Sequence, residues 1–274
     1  MKHFVRSGRA ELCVEDSQTA GPAIVCLHAG VCDRRMWALQ VEALQAAHRV
    51  IVYDRRGFGE TRCEPEPFSH VNDLMAVLEA SQIDATILMG CSQGGRFAID
   101  AALSFPARVQ ALVLVACAVT GAPEPETGFS TRVQARIEAC EAAEQRGDLD
   151  AANELEAQLW LDGPEQPTGR VSGPLRELFL SMNGLALAAP PVGEAVDSPS
   201  AWSRLEQLRL PALIAWGTLD FEHLDARMRE LARRIPGAQT FLLDGVAHLP
   251  GLEQPAPFNT AVGRFLAALP ERDG

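Results

Sequence analysis

The sequence holds a single lysine, Lys2, and a single tyrosine, Tyr53, in 274 residues. With that lysine at the N-terminus, no buried site has an amine for a pyridoxal Schiff base, a phosphate loop or a kinase-type lysine. Basic tracts are also absent, and 24 basic against 36 acidic residues leave a net charge of −12, so a phosphate backbone is repelled and nucleic acid is not an expected partner. The longest unbroken apolar run, Ala111 to Val119, has nine residues, about half of what a membrane span needs. Met1 to Asp16 lacks the apolar region of a signal peptide, so a cytoplasmic protein without a membrane partner is expected. The seven cysteines (13, 26, 32, 63, 91, 117 and 140) form no C-x-x-C pair; they read as reduced thiols filling the core, and no metal is expected.

What is present suits an α/β fold: 47% hydrophobic and 22% charged residues are enough to bury a sizeable core. Short runs of Val, Ile and Leu recur at Ala23–Leu27, Val50–Tyr53, Thr86–Met89, Leu112–Ala116, Leu213–Trp216 and Thr240–Leu243. Helical spacing appears between most of them, at Met36–Ala47, Ser69–Ser81, Gln93–Ser104 and Glu222–Arg234, and again at Pro257–Leu269. This alternation predicts a mostly parallel sheet of about eight strands covered by helices on both faces. Glu11–Val14 reads as an antiparallel edge strand. Between the fourth and fifth runs no strand pattern occurs; helices are predicted over Thr131–Arg146, Asp150–Leu161 and Leu175–Met182, with a Gly/Pro-rich stretch at Gly163–Gly173. The expected organisation is a core of residues 1–120 and 200–274 with a helical lid inserted at 121–199.

At Thr86-Ile-Leu-Met-Gly90-Cys-Ser92-Gln-Gly94 an apolar strand ends in G-x-S-x-G and runs straight into a helical pattern. A sharp turn there has no room for a β-carbon at Gly90 or Gly94 and lifts the Ser92 hydroxyl out at a helix N-terminus. The same sequence without that context would be only a glycine-rich turn with a capping serine. Together with His28-Ala-Gly30, Tyr53-Asp54-Arg-Arg-Gly57-Phe-Gly59, Gly217-Thr-Leu-Asp220 and Gly245-Val-Ala-His248, in this order, the chain resembles the α/β-hydrolase superfamily over nearly its whole length. The set is most similar to small bacterial lidded hydrolases that include enol-lactonases and carboxylesterases.

A serine hydroxyl needs a base, itself oriented by a third group. Of six histidines, His3, His48, His70 and His223 lie near helix or strand starts or in a polar connector, and the resemblance implies a structural role for His28. His248, after the last strand, is the base. The resemblance places the acid at Asp220, 28 residues earlier, while Glu222 and Asp225 in the next helical turn are explained by the helix dipole alone. It also implies oxyanion donors at the Gln93 N–H and at Gly30 or Val31, Ala29 standing where relatives carry Gly, and a supporting turn at Asp54, Arg55 and Arg56. Trp160, Met36, Trp37 and Phe129 are candidate pocket walls.

These readings imply a cofactor-free serine hydrolase acting on a small-molecule ester or lactone. Carbon–carbon bond hydrolysis, perhydrolysis and hydroxynitrile cleavage use the same constellation, and a binding module with a vestigial site is the non-enzymatic alternative. Dehalogenase and epoxide hydrolase chemistry are disfavoured by Ser92 in the nucleophile position and by the lack of a tyrosine pair. A homodimer is compatible with this composition.

Overall fold

A computed structural model describes residues 1–124, 128–197 and 200–270. Strands form where the Val, Ile and Leu runs occur: β1 (Lys2–Ser7), β2 (Ala10–Asp16), β3 (Ala23–Leu27), β4 (Arg49–Tyr53), the two-residue β5 (Arg62–Cys63), β6 (Thr86–Cys91), β7 (Val109–Val115), β8 (Ala212–Gly217) and β9 (Gln239–Leu243). They make one sheet in the order β1-β2-β4-β3-β6-β7-β8-β9, with β5 added against β2. Pairing is antiparallel from β1 through β2 to β4 and parallel from β4 to β9. The central strands β3, β6 and β8 are buried at every position, as expected for parallel strands covered on both sides.

Alternate side chains of one strand feed two separate cores. Val25 and Leu27 join the layer that holds α2 (His70–Ala80), α3 (Gln93–Ser104) and α7 (Glu222–Arg234). Ile24 and Cys26 join the layer of α1 (Ala38–Leu44), α8 (Pro250–Glu253) and α9 (Pro255–Ala267). Each buried Leu, Ile or Phe in these layers contributes roughly 1.5–3 kcal/mol by leaving water. Between β7 and β8 lie α4 (Thr131–Gln145), α5 (Leu149–Glu156) and α6 (Pro174–Leu187), and Ala157, Leu161, Phe179 and Met182 from this stretch pack into the second core. The expected boundary at 199–200 touches residues outside those described. No helix among the described residues is long and apolar enough to cross a membrane.

Three local expectations are corrected. The Glu11–Val14 segment is not the sheet edge: β2 lies between β1 and β4, and β1 escapes notice because its side chains are mixed and only Val5 is buried. The helix expected over Met36–Ala47 is a 3-10 turn at Arg34–Trp37, capped by Asp33, followed by the shorter α1. The helix expected over Asp150–Leu161 becomes a wider π turn from Ala157 to Asp162, closed by Gly163 at φ 100°. In addition, α6 runs on past Met182 through Gly184, where a β-carbon would sit 3.1 Å from the Asn153 amide nitrogen, so the glycine permits close approach to α5.

β3 has β4 on one side and β6 on the other, so the chain reverses direction across the sheet at this point. Crevices of open α/β sheets form at the carboxyl ends of the strands at such a switch. Here the ends of β3 and β6 are in register, Leu27 opposite Gly90.

Candidate active site

Ser92 follows β6 directly and precedes the first residue of α3. Its backbone is at φ 53°, ψ −117°, a region that favours glycine and costs on the order of 1–3 kcal/mol for other residues. The turn is held from both sides: the Ser92 N–H donates to the Val115 carbonyl (2.9 Å), and its carbonyl accepts from the N–H groups of Arg96 and Ala118 (both 3.1 Å). The neighbouring glycines are required by space. A β-carbon at Gly90 would lie 2.5 Å from the Gly94 backbone, and one at Gly94 would lie 2.1 Å from the Leu27 carbonyl oxygen.

Asp220 and His248 are brought together from the loops after β8 and β9. Asp220 Oδ2 lies 2.8 Å from His248 Nδ1, and Oδ1 accepts from the Phe221 N–H (2.8 Å). Both side chains are almost fully buried, at 1% and 2% exposure. A carboxylate oxygen accepts, so Nδ1 is the donor in this pair and Nε2 is the ring nitrogen turned away from it. Nε2 is buried and has no partner among the described residues. The Cys91 thiol donates to the His248 carbonyl (3.7 Å), which ties the strand end before Ser92 to the histidine loop. Of the two other acids in this stretch, Glu222 lies in the first turn of α7 and Asp225 is engaged elsewhere, accepting from Trp216 Nε1 (2.7 Å) and Arg229 Nε (2.8 Å).

The loop after β3 runs beside the start of α3. A β-carbon at Gly30 would lie 2.7 Å from the Gln93 side-chain nitrogen, so Gly30 and Gln93 are neighbours. The Gly30 and Val31 N–H groups find no acceptor among the described residues, and the Gln93 N–H belongs to the first helical turn, where donors lack intrahelical partners. The structure thus sets Gly30 against the Gln93 side chain, with Val31 next along the same loop. His28 is fully buried: Nδ1 contacts the Ala29 carbonyl (2.7 Å), and Nε2 accepts from the Arg55 N–H (3.0 Å). Burial, and next the Arg55 cation, hold its pKa well below the usual histidine range, so it is a neutral brace. Asp54 accepts from Arg34 and the Glu60 N–H, and Arg56 pairs with Asp73 and Glu66, the supporting roles expected of that turn.

The four pocket candidates separate. The Trp160 ring centroid is 4.6 Å from that of His248. Met36 Sδ accepts from the Ala29 N–H (3.3 Å), behind the Gly30 loop, and Trp37 is core, 1% exposed. Phe129 is 41% exposed, packs on Phe221 and His223, and borders a depression that Asp220 and Asp225 also line. Exposed aromatic residues in an insertion carry no sequence sign of which way they face. The sequence also gave no reason to single out Glu253, which accepts from the Ala247 N–H (2.9 Å) and pairs with Arg170 of the insertion, bracing the histidine loop. A carboxylate five residues after His248 looks like any first-turn helix residue. Among the described residues, one group could hold a metal ion, Cys140, Glu144 and Glu156, which lie between β7 and β8, where Cys140 also contacts the Ala152 carbonyl.

Comparison with known proteins gives a consistent picture. A model of the alpha/beta hydrolase family matches residues 24–261. A Bacillus subtilis (strain 168) protein provisionally named 2-succinyl-6-hydroxy-2,4-cyclohexadiene-1-carboxylate synthase is 27% identical, covering 97% of this chain and 97% of its own. The pimeloyl-(acyl-carrier protein) methyl ester esterase of Xanthomonas campestris pv. campestris is 29% identical over 91% of this chain and 97% of its own. The solved enol-lactonase of Burkholderia xenovorans LB400 superposes with a TM-score of 0.75 at 24% identity, covering 96% of this chain and 99% of that one, and so shares the fold.

Proposed function

The chain belongs to the α/β-hydrolase family, and on that premise we propose that it is a cofactor-free serine hydrolase cleaving a small carboxylic ester or lactone through an acyl-enzyme. The observation that carries this reading is the buried Asp220–His248 pair with Nε2 unpartnered, at the same carboxyl end of the parallel strands as the elbow that bears Ser92. The esterase name of the Xanthomonas relative supports the ester class.

In this reading Ser92 Oγ attacks the substrate carbonyl while His248 Nε2 takes the hydroxyl proton. Asp220 holds the imidazole in the tautomer that can accept and stabilises the imidazolium that forms. The oxyanion is met by the N–H groups of Gln93 and of Gly30 or Val31, aimed before the reaction begins. His248 then returns the proton to the leaving alkoxide, and a water activated by the same nitrogen releases the acid. The insertion acts as a lid whose Trp160 roofs the imidazole and excludes water.

The test is a fluorophosphonate probe with a panel of p-nitrophenyl esters and lactones. Labelling of the wild type at Ser92, with turnover that Ser92→Ala abolishes, supports the reading; retained turnover in Ser92→Ala sinks it. A second reading, a synthase reaction on the same side chains, is favoured by the name of the Bacillus subtilis relative. It predicts a Ser92-dependent reaction without net addition of water, which product mass would reveal.

A further inference from the structure

Arg55 is a fully buried cation, and no carboxylate pairs with it among the described residues. The adjacent arginines differ: Arg34 meets Asp54, Glu15 and Glu60, and Arg56 meets Asp73 and Glu66. Burying a charge without a counter-ion is costly; Nε has no hydrogen-bond partner among the described residues, so the compensation falls to the two terminal nitrogens. Arg55 Nη2 donates to the carbonyls of His28 (3.3 Å) and Ala29 (3.2 Å), and Nη1 donates to Gln93 Oε1 (3.3 Å). The guanidinium is wedged between Phe58 and Phe97, 4.6 and 5.1 Å from their ring centroids. Burial lowers its pKa only to about 10, so it stays charged at neutral pH.

A guanidinium only donates, so it fixes which way the Gln93 amide faces. Oε1 turns to Arg55, and Nε2 is left over Gly30, where it finds no acceptor among the described residues. The side chain therefore adds a third N–H group beside the two backbone donors. We propose that the Gln93 amide selects acyl groups with an oxygen acceptor next to the scissile carbonyl, and that Arg55 is the positioning residue that aims it. This rests on Ser92 being the nucleophile.

The experiment compares p-nitrophenyl methoxyacetate with p-nitrophenyl butyrate, which share a leaving group and nearly a shape but differ by an ether oxygen in place of a methylene. Intrinsic reactivity cancels when the ratio of kcat/KM for the two esters is compared between enzymes. Gln93→Met keeps the backbone donor and, at an exposed side chain, the fold; it should lower the ratio about three- to tenfold, the worth of one neutral hydrogen bond. Arg55→Met should lower it likewise, and Gln93→Glu, which pairs with Arg55 and presents an acceptor, should lower it further. A merely structural role would slow both esters together and leave the ratio alone. An unchanged ratio in Gln93→Met, with Ser92 still labelled and both esters still cleaved, overturns the inference while leaving the hydrolase reading standing. Retained turnover in Ser92→Ala overturns both.

Discussion

The rings of Trp160 and His248 are tilted by 51° with centroids 4.6 Å apart, so the π turn of the insertion reaches the imidazole that the last strand presents. Trp160 also packs on Phe221, the residue after Asp220, with ring centroids 4.9 Å apart. Removing it should admit water to the pair. Trp160→Ala is expected to lower kcat/KM on the order of tenfold while Trp160→Phe retains most of it, since a ring still covers the imidazole. Equal activity in Trp160→Ala and the wild type would show that the contact is only packing.

Substitutions at Ser92 separate chemistry from strain. Ser92→Ala should cut kcat by on the order of 10⁴ or more and leave stability unchanged, because alanine suffers the same backbone conformation. Ser92→Gly should be equally inactive yet more stable by about 1 kcal/mol, relief of the φ 53°, ψ −117° backbone outweighing the entropy of the unfolded glycine. Urea unfolding of the two variants checks this, and equal midpoints would argue against strain at the elbow.

Asp220→Asn keeps an acceptor for the Phe221 N–H but turns an NH2 group toward His248 Nδ1. Nδ1 must then accept, the ring proton moves to Nε2, and the base is lost. A fall in kcat of roughly 10³- to 10⁴-fold with little change in stability is expected. The control is Asp225→Asn, which weakens the contacts to Trp216 and Arg229 and should cost about 1 kcal/mol of stability at nearly full activity. If Asp225→Asn abolished turnover and Asp220→Asn did not, the acid would have to be reassigned.

Burial raises the Glu253 pKa from 4.5 to about 7, outweighing the Arg170 partner that pulls it down. Between those values the folded protein holds a proton that the unfolded chain has released, so this group's contribution to stability is full below the lower value and is lost as pH rises through the upper one. Melting temperatures measured from about pH 5 to about pH 8 should therefore fall more steeply for the wild type than for Glu253→Gln. Parallel curves would show that Glu253 does not titrate in this window.

Much of the molecule was legible without coordinates because its signals are local. Glycines at 90 and 94 around Ser92, apolar runs of strand length, and the order Ser92, Asp220, His248 all lie within single strands and the turns that follow them. The length of the apolar runs and their β-branched residues likewise separate buried parallel strands from helices before any contact is known. Pairing is different in kind. That Arg56 meets Asp73 while its neighbour Arg55 meets carbonyls, an amide and aromatic rings cannot be read from Asp-Arg-Arg-Gly, since most of the partners come from elsewhere in the chain. Only the tertiary structure decided that Trp160 faces His248 while Phe129 does not, and that β1 rather than β2 forms the edge of the sheet. The sequence by itself determined which groups can react, because backbone sterics and side-chain chemistry act over a few residues. The long-range packing of sheet and insertion decided which groups surround them, because a charge or a ring takes its role from what it is buried against.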